Sequence, residues 1–458
     1  MAKYQIYSNQ TATNNNWVKL IPTDWKIVPL KYMCHGFVKD GPHETPEFID
    51  EGVPFLSVDG IQNNKLLFDG CRYISTEDDA RFSLKCKPQK GDILLGKAAS
   101  VGKVAFVESD KDFNVWSPLA VIRPKDIKLG KFIYYCLQSY ELQLQCDVFS
   151  NSNTQKNLGM TTIDNLSFPY PSIEEAEKIS EFLDHETAKI DSLIAKQQQL
   201  IQLLKEKRQA VISHAVTKGL NPNVPMKDSV VEWLGEVPEH WNVSRFKFVC
   251  TNIIAGPFGS SITKDMYVPS GYKVYGQEQV IPNDFEIGDY YISEKDYTEL
   301  SRYVVCPKDI LISCVGTFGK IAVFPENAQK GIINPRLIKA TLLNKFNPYF
   351  FREYLKSDAV FKQFEQLSRG GTMGVINIGI LNEIVAVIPP RIEQDNIYNF
   401  IQQQKNKFNS LIQKAELAIQ LMRERRIALI SAAVTGKIDV RNWQNPNNNN
   451  EAKMEFSA

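Results

Sequence analysis

The sequence predicts an α+β protein in which two repeated mixed α/β domains are separated by two long, antiparallel coiled-coil helices, an internal pseudo-twofold repeat. Three blocks carry that expectation. Ile21-Pro22-Thr23-Asp24-Trp25 returns as Val237-Pro238-Glu239-His240-Trp241. Gly91-Asp92-Ile93-Leu94-Leu95 with Gly102-Lys103-Val104-Ala105 returns as Lys308-Asp309-Ile310-Leu311-Ile312 with Gly319-Lys320-Ile321-Ala322. The run Leu203 to Thr217 returns as Leu421 to Thr435. The three keep their order at offsets of 216, 217 and 218 residues, so one module occurs twice, which suits a target that is twofold or read in two halves.

Residues 1–16 are polar and read as an N-terminal tail. From 17 to 171, β-like runs such as Val53-Pro54-Phe55-Leu56-Ser57-Val58, Asp92-Ile93-Leu94-Leu95 and Lys103-Val104-Ala105-Phe106-Val107 alternate with turn residues. They predict a strand-rich first domain, interrupted by one helix over Phe132 to Leu144. From Glu174 to Thr217 there is neither Pro nor Gly and the apolar period becomes helical, which predicts a long helix within 172–220. Steps of three and four place its seam at Leu183, Glu186, Ile190, Leu193, Gln197, Leu200, Leu204, Lys207 and Val211. The second copy has Ile401, Gln404, Phe408, Leu411, Ala415, Ala418, Met422, Arg425 and Leu429. Helices of about 40 residues span about 60 Å at 1.5 Å per residue, a length that suits an antiparallel coiled-coil pair with register fixed by shared polar positions. Gly219 and Gly436 suit left-handed caps at the two helix ends. A Pro-punctuated linker, 221–236, leads to the second domain, 237–388, and the second helix, 389–440. The Asn-rich stretch 441–458 has the composition of a disordered tail.

At 458 residues the chain has room for about three domains with sizeable cores. Fifty-three basic against 52 acidic residues leave a net charge of +1, so any anion-binding surface must be local. The eight cysteines include no CxxC pair, and the five histidines are not spaced with them as a zinc site requires. Reduced, mostly buried thiols in a cytoplasmic protein, with no metal, are expected. The N-terminus shows no signal-peptide pattern, and no apolar run approaches the roughly 20 residues of a membrane helix.

Three motifs imitate catalytic signatures. Gly96 to Lys103 resembles a phosphate loop, but Val104 stands where Ser/Thr is required and the copy has Ser313 in place of Gly96. A strand-turn-strand element with Gly102 and Gly319 in the turn fits better. Asn347-Pro348-Tyr349-Phe350 looks like the catalytic motif of amino-methyltransferases, yet no glycine-rich cofactor loop follows a strand, and an Asn cap with Pro in the first helical turn explains it. Asp92 and Asp309 lack the Glu-x-Lys spacing of a metal-dependent nuclease and suit a turn role at a strand start. No catalytic residue is expected.

What differs between the copies is polar and loop-borne. In the first half it comprises Lys39, His43, Glu44 and Thr45, then Asn151, Asn153, Gln155, Lys156 and Asn157, with Lys97, Ser100 and Lys103 of the turn. In the second it comprises Ser260, Ser261 and Lys264, then Arg369, Thr372 and Met373, with Gln277, Thr317, Lys320 and Arg336. Amides, Arg and Ser/Thr read base edges in the major groove, while Lys and glycine-rich backbone suit phosphates. Solvated loops are the plain alternative for any one segment; a shared scaffold with divergent loops favours recognition. The clusters Lys205, Lys207, Arg208 and Arg423, Arg425, Arg426 complement a helix C-terminus or meet a partner.

Glu232-Trp233-Leu234-Gly235-Glu236-Val237-Pro238-Glu239-His240-Trp241 resembles the start of a target-recognition domain in the specificity subunit of type I restriction-modification systems. Asp40-Gly41-Pro42-His43 with Thr45-Pro46, Gly256-Pro257-Phe258-Gly259-Ser260, and Pro389-Pro390-Arg391-Ile392-Glu393-Gln394 are similar to other parts of that family. One departure is Glu174-Glu175 where the second half keeps Glu393-Gln394, with a residue gained before Phe182. The resemblance covers nearly the whole chain, twice. It implies a non-catalytic reader of double-stranded DNA whose two domains each bind half of a bipartite, asymmetric target, with the helices as a ruler. It further implies two modification subunits docked on the helices, for which Leu193, Leu204, Arg208, Leu411, Met422 and Arg426 are candidate contacts, and two restriction subunits. S-adenosylmethionine, ATP and Mg2+ are then expected on those partners, with none bound by this chain.

Overall fold

The computed structural model describes residues 4–150, 156–314, 319–367 and 376–446, apart from the side chain of Ser260. They fall into two compact units, 1–198 with 417–458, and 199–416. Each long helix is therefore shared. The first unit holds the start of the first helix, Ile173–Lys218, and the end of the second, Arg391–Val434; the second unit holds the reverse.

In the first unit an antiparallel four-stranded sheet runs in the order Val104–Phe106, Ile93–Gly96, Leu119–Ile122, Lys39–Asp40. A three-stranded sheet has Val53–Leu56 at its centre, parallel to Asn114–Val115 and antiparallel to Arg72–Ile74. The central strands are buried along their whole length, which is why their text is an unbroken apolar run rather than an alternation. Successive side chains enter opposite cores. Ile93, Leu95, Ala120 and Ile122 pack with Phe132 and Ile133 of helix Ile127–Gln138 and with Phe182, Leu183 and Ile430 of the long helices. Leu94, Ala105, Leu119 and Val121 pack with Leu56, Phe113 and Val115.

The second unit repeats the plan. Its four-stranded sheet has the order Cys250–Ala255, Leu337–Leu342, Ile310–Ser313, Ile321–Val323. Ile310, Ile312, Ile338 and Ala340 face Phe350, Phe351 and Ile401, while Leu311, Ala322 and Leu337 face Tyr275 and Phe285. A second sheet is ordered Tyr267–Val268, Tyr291–Ile292, Tyr272–Tyr275, Gly331–Ile333. The repeated Pro-x-x-Trp block has the same task in both copies: the Trp25 indole donates to Glu175 Oε2 and the Trp241 indole to Glu393 Oε2, each at 3.0 Å, tying a domain to the start of its helix.

Each unit shows the helices antiparallel. In the first, Arg426 reaches Asp191 at 3.1 Å, and Trp443, further along, meets the Phe182 ring edge-on, with centroids 5.6 Å apart. In the second, Arg208 donates to Asn409 Oδ1 at 2.5 Å, and Gly219 lies against Glu393. Gly219 and Gly436 have φ of +79° and +69°, the left-handed caps that end the helices. Among the described residues no helix is long and apolar enough to cross a membrane. All eight cysteines are free; Cys306 is exposed, whereas burial pushes the Cys34 and Cys146 thiols up to about 12.

Several expectations need correcting. The helices begin at equivalent residues, so Glu175 and Glu393 correspond and no residue is gained before Phe182. Residues 1–16 are not merely a tail: Gln10–Ala12 pairs with Leu20–Pro22, as Met226–Asp228 within the supposed linker pairs with Glu236–Pro238. The repeat therefore starts earlier than its apolar text. Trp443 likewise removes 441–446 from the supposed tail; residues 447–458 lie outside the described ones. The stretch Phe132 to Leu144 is two helices, Ile127–Gln138 and Tyr140–Phe149, broken where Ser139 turns extended to cap the second.

The helix seam also shifts. Leu183, Ile190, Phe408, Ala415 and Leu429 are buried as expected, but Leu193, Leu200, Lys207, Leu411 and Arg425 are exposed. The covered positions lie one residue later, at Thr187, Ile194, Ile201, Arg208, Ile412, Ile419 and Arg426. Where both neighbours are apolar, periodicity alone does not choose between them.

Candidate nucleic-acid interface

Four segments converge at one end of the first domain's central sheet. A Cβ on Gly41 would lie 1.9 Å from Val115 O, so only glycine permits this approach. Ser117 N donates to Pro42 O at 3.1 Å, Lys97 N to Pro118 O at 2.9 Å, and Leu158 N to Lys97 O at 2.8 Å. The second domain repeats the glycine approach and the last two of these bonds. A Cβ on Gly256 would lie 1.9 Å from Asn334 O. Cys314 N donates to Arg336 O at 2.9 Å and Ile376 N to Cys314 O at 2.8 Å. The turns match as well, with Gly96 N donating to Lys103 O and Ser313 N to Lys320 O, and φ of +89° and +91° at Gly102 and Gly319.

On this common frame the side chains differ. Of the first domain's candidates, Lys39, His43, Thr45 and Asn157 are exposed and Ser100 is half-buried. Lys97 is not a free cation. Its side chain is 9% exposed and its ammonium lies 3.2 Å from Asp40, which also holds Lys85 at 2.6 Å and His43 at 3.1 Å. Burial works to raise the Asp40 pKa, but Lys85 and Lys97 outweigh it and hold the carboxyl below its usual range. Lys97 thus ties its strand end to Asp40 beside the Gly41 loop. Glu44 pairs with Arg81, Lys156 with Asp147, and Lys103 reaches Val58 O at 3.4 Å. Asn151, Asn153 and Gln155 lie outside the described residues.

In the second domain Ser261, Lys264, Lys320 and Arg336 are exposed. Gln277 Nε2 donates to Ser313 Oγ at 2.5 Å, while Asn334 joins two loops, its N donating to Tyr275 O at 2.8 Å and its Oδ1 accepting from Arg336 N at 2.9 Å. Thr317, Arg369, Thr372 and Met373, with the side chain of Ser260, lie outside the described residues.

Sequence reasoning passed over Arg72 and Trp116, which flank the first domain's face. Their rings and charge come together only through sheet pairing, and no local spacing signals that. On the helices, Leu193 and Leu411 are exposed and Leu204 and Met422 half-buried. Arg208 and Arg426 turn instead to the facing helix, Arg426 also reaching Gln138 at 3.0 Å, so they are structural before they are contacts for a partner.

The catalytic imitations have structural roles. Asp92 and Asp309 accept the equivalent turn amides of Gln89 and Cys306, each at 2.8 Å, and Asn347 caps a helix through Tyr349 N and Phe350 N. Among the described residues there is no group of three or more His, Cys, Asp or Glu side chains placed to hold a metal ion.

One backbone frame, made twice and dressed with different polar side chains, defines a two-headed recognition protein. The family described as type I restriction modification DNA specificity domain matches the chain at residues 22–203 and again at 238–421. The chain belongs to that family: it is a specificity subunit of a type I restriction-modification system. It is 22% identical over 398 residues to the type I restriction enzyme EcoKI specificity subunit of Escherichia coli K12, covering 84% of this chain and 82% of that one. To the MjaVIII specificity subunit of Methanocaldococcus jannaschii it is 22% identical, covering 92% and 95%. In fold it is similar to a chain solved in a study of assembly and conformational transition of the type I system, with TM-score 0.66, 15% identity, and coverage of 91% and 99%. It is also similar to the HsdS subunit of Thermoanaerobacter tengcongensis, with TM-score 0.52, 15% identity, and coverage of 93% and 100%.

Proposed function

We propose that the two domains each read one half of a bipartite, asymmetric double-stranded DNA target in the cytoplasm, and that the long helices set the spacer and dock two modification subunits. Adenine-N6 methylation with S-adenosylmethionine belongs to those subunits; ATP- and Mg2+-dependent translocation and cleavage belong to two restriction subunits. One observation carries this reading: the same close glycine approach and matching main-chain bonds, Lys97 N to Pro118 O with Cys314 N to Arg336 O and Leu158 N to Lys97 O with Ile376 N to Cys314 O, hold the loops in both copies while the loop side chains differ. Exposed Leu193, Leu200, Leu203, Leu411, Leu417 and Leu421 lie off the helix seam and give a partner apolar surface on the helices.

Footprinting with the methylating partner tests it. Two short protected segments flanking an unread spacer are expected; one continuous protected site refutes the two-reader arrangement. Removing a matched heptad from both helices shortens each by about 10 Å, or about three base pairs at 3.4 Å per pair. The preferred spacer should shorten while both half-site sequences persist. A change in either sequence sinks the ruler.

A further inference from the structure

We propose that Arg72 reads a G·C base pair in the half-site bound by the first domain, an assignment that rests on the two-reader function above. Arg72 lies on the edge strand Arg72–Ile74, and its side chain is exposed. The guanidinium carbon sits 4.6 Å from the Phe48 ring centroid and 6.0 Å from that of Trp116. Among the described residues its side chain has no carboxylate or hydrogen-bond partner. The domain's two other arginines are both occupied, Arg81 by Asp78 at 2.6 Å and Arg123 by Asp92 at 2.7 Å. A guanidinium laid against aromatic rings keeps its planar fork of donors oriented and unspent, which is what bidentate recognition requires.

The place is continuous with the recognition face. Trp116 is followed by Ser117 and Pro118, whose backbones bond the Gly41-Pro42 loop and Lys97. Trp116 and Arg72 also line a cavity of about 340 Å3 together with Ser57, Asp59, Gln62 and Asp69. That lining decides between two ligands an arginine takes. The Asp59 and Asp69 carboxylates repel a phosphate, but they accept hydrogen bonds from an exocyclic amine. Arginine donates to guanine O6 and N7 and a carboxylate accepts from cytosine N4, so cation and acids together match the two edges of one G·C pair. In the second domain the pairing of Tyr291 with Lys273 and the bond from Val274 N to Tyr290 O at 2.8 Å put Tyr290 where Arg72 stands, with its ring 5.2 Å from Tyr267. The same shelf there has no cation at that position, so the second half-site lacks this contact.

The test uses the subunit in complex with its methylating partner and a DNA panel in which each base pair of both half-sites is replaced singly. The first half-site is identified as the one whose reading Gly41→Ala removes. The wild-type complex should prefer G·C at one position there by roughly 10- to 100-fold. Arg72→Ala should flatten that position alone. Arg72→Lys, which keeps charge and stem but loses the fork, should flatten it too, and both variants should melt like the wild type because the residue is exposed. Uniform weakening on every sequence, with a salt slope lower by about one, would mark a phosphate contact and overturn the proposal. Unchanged preferences, or a change confined to the other half-site, also overturn it. If the wild-type complex itself shows no bipartite preference, the two-reader function fails first; if it does and the Arg72 variants keep every preference, only this assignment fails.

Discussion

Gly256→Ala should erase discrimination at the second half-site while leaving the first intact, and Gly41→Ala should do the reverse. The new methyl group at 256 would meet Asn334 O at 1.9 Å, Asn334 C at 2.6 Å and Pro335 Cα at 3.1 Å. All three are backbone atoms, so no flexible side chain can yield, and one of the two loops must move by more than an ångström. Asn334 also joins two loops: its Oδ1 accepts Arg336 N, and its amide nitrogen packs against Gly276 beside Gln277. Displacing it misplaces several polar groups together. Losing two base contacts of roughly 1–3 kcal/mol each corresponds to about a 30-fold loss of discrimination or more. The measurement is competition binding over single-base-pair variants of both half-sites. Should Gly256→Ala alter preferences in both half-sites, the heads are not independent readers.

Lys405→Met should destabilise the second unit by roughly 1.5–3 kcal/mol near neutral pH, the usual worth of a hydrogen bond to a charged group, because Arg352 still holds the carboxylate. Glu353 is 2% exposed and is held by Lys405 and Arg352, each at 2.6 Å. Burial works to raise its pKa, yet the two cations outweigh that and keep the carboxyl below its ordinary value. A depressed folded pKa means the pair's stabilisation is present above the unfolded value of about 4.3 and fades as pH falls through the folded one. The penalty of Lys405→Met should therefore shrink in acid, where Glu353 takes up a proton, and Glu353→Gln combined with Lys405→Met should recover much of it. In the first unit the corresponding pair is Tyr135 and Thr187, with oxygens 3.3 Å apart, so Thr187→Val should cost only about 1 kcal/mol. Denaturant unfolding across pH measures both; a Lys405→Met penalty that grows in acid would contradict the assignment.

These two sites show how far the sequence could be read. The duplication, the long helices and their glycine ends are local patterns and were legible. So was the turn role of Asp92 and Asp309, because both copies keep the residue at the same strand entrance. The seam was legible only at alternate positions, since Leu193 stands beside Ile194 and Leu411 beside Ile412, and burial chooses between neighbours that periodicity cannot rank. Strands as short as Gln10–Ala12 carry too few residues for an alternation to register. The face was less legible than the frame. Lys97 looked like a free cation until folding placed Asp40 beneath it, and Arg72 looked unremarkable until pairing brought Phe48 and Trp116 to its flanks.

The sharing of each helix between units has a consequence for synthesis. Unit two is one unbroken stretch, 199–416, whereas unit one needs residues from 417 onward. Leu429, Ile430, Ala433 and Val434 complete the core around Phe182 and Ile190, and Gln10 bonds the carbonyl of Gly436. On the ribosome the later half of the message therefore matures first, while the earlier half waits with an open apolar flank until the last residues emerge. A chain ending at residue 416 would hold every residue of one head and lack part of the other's core.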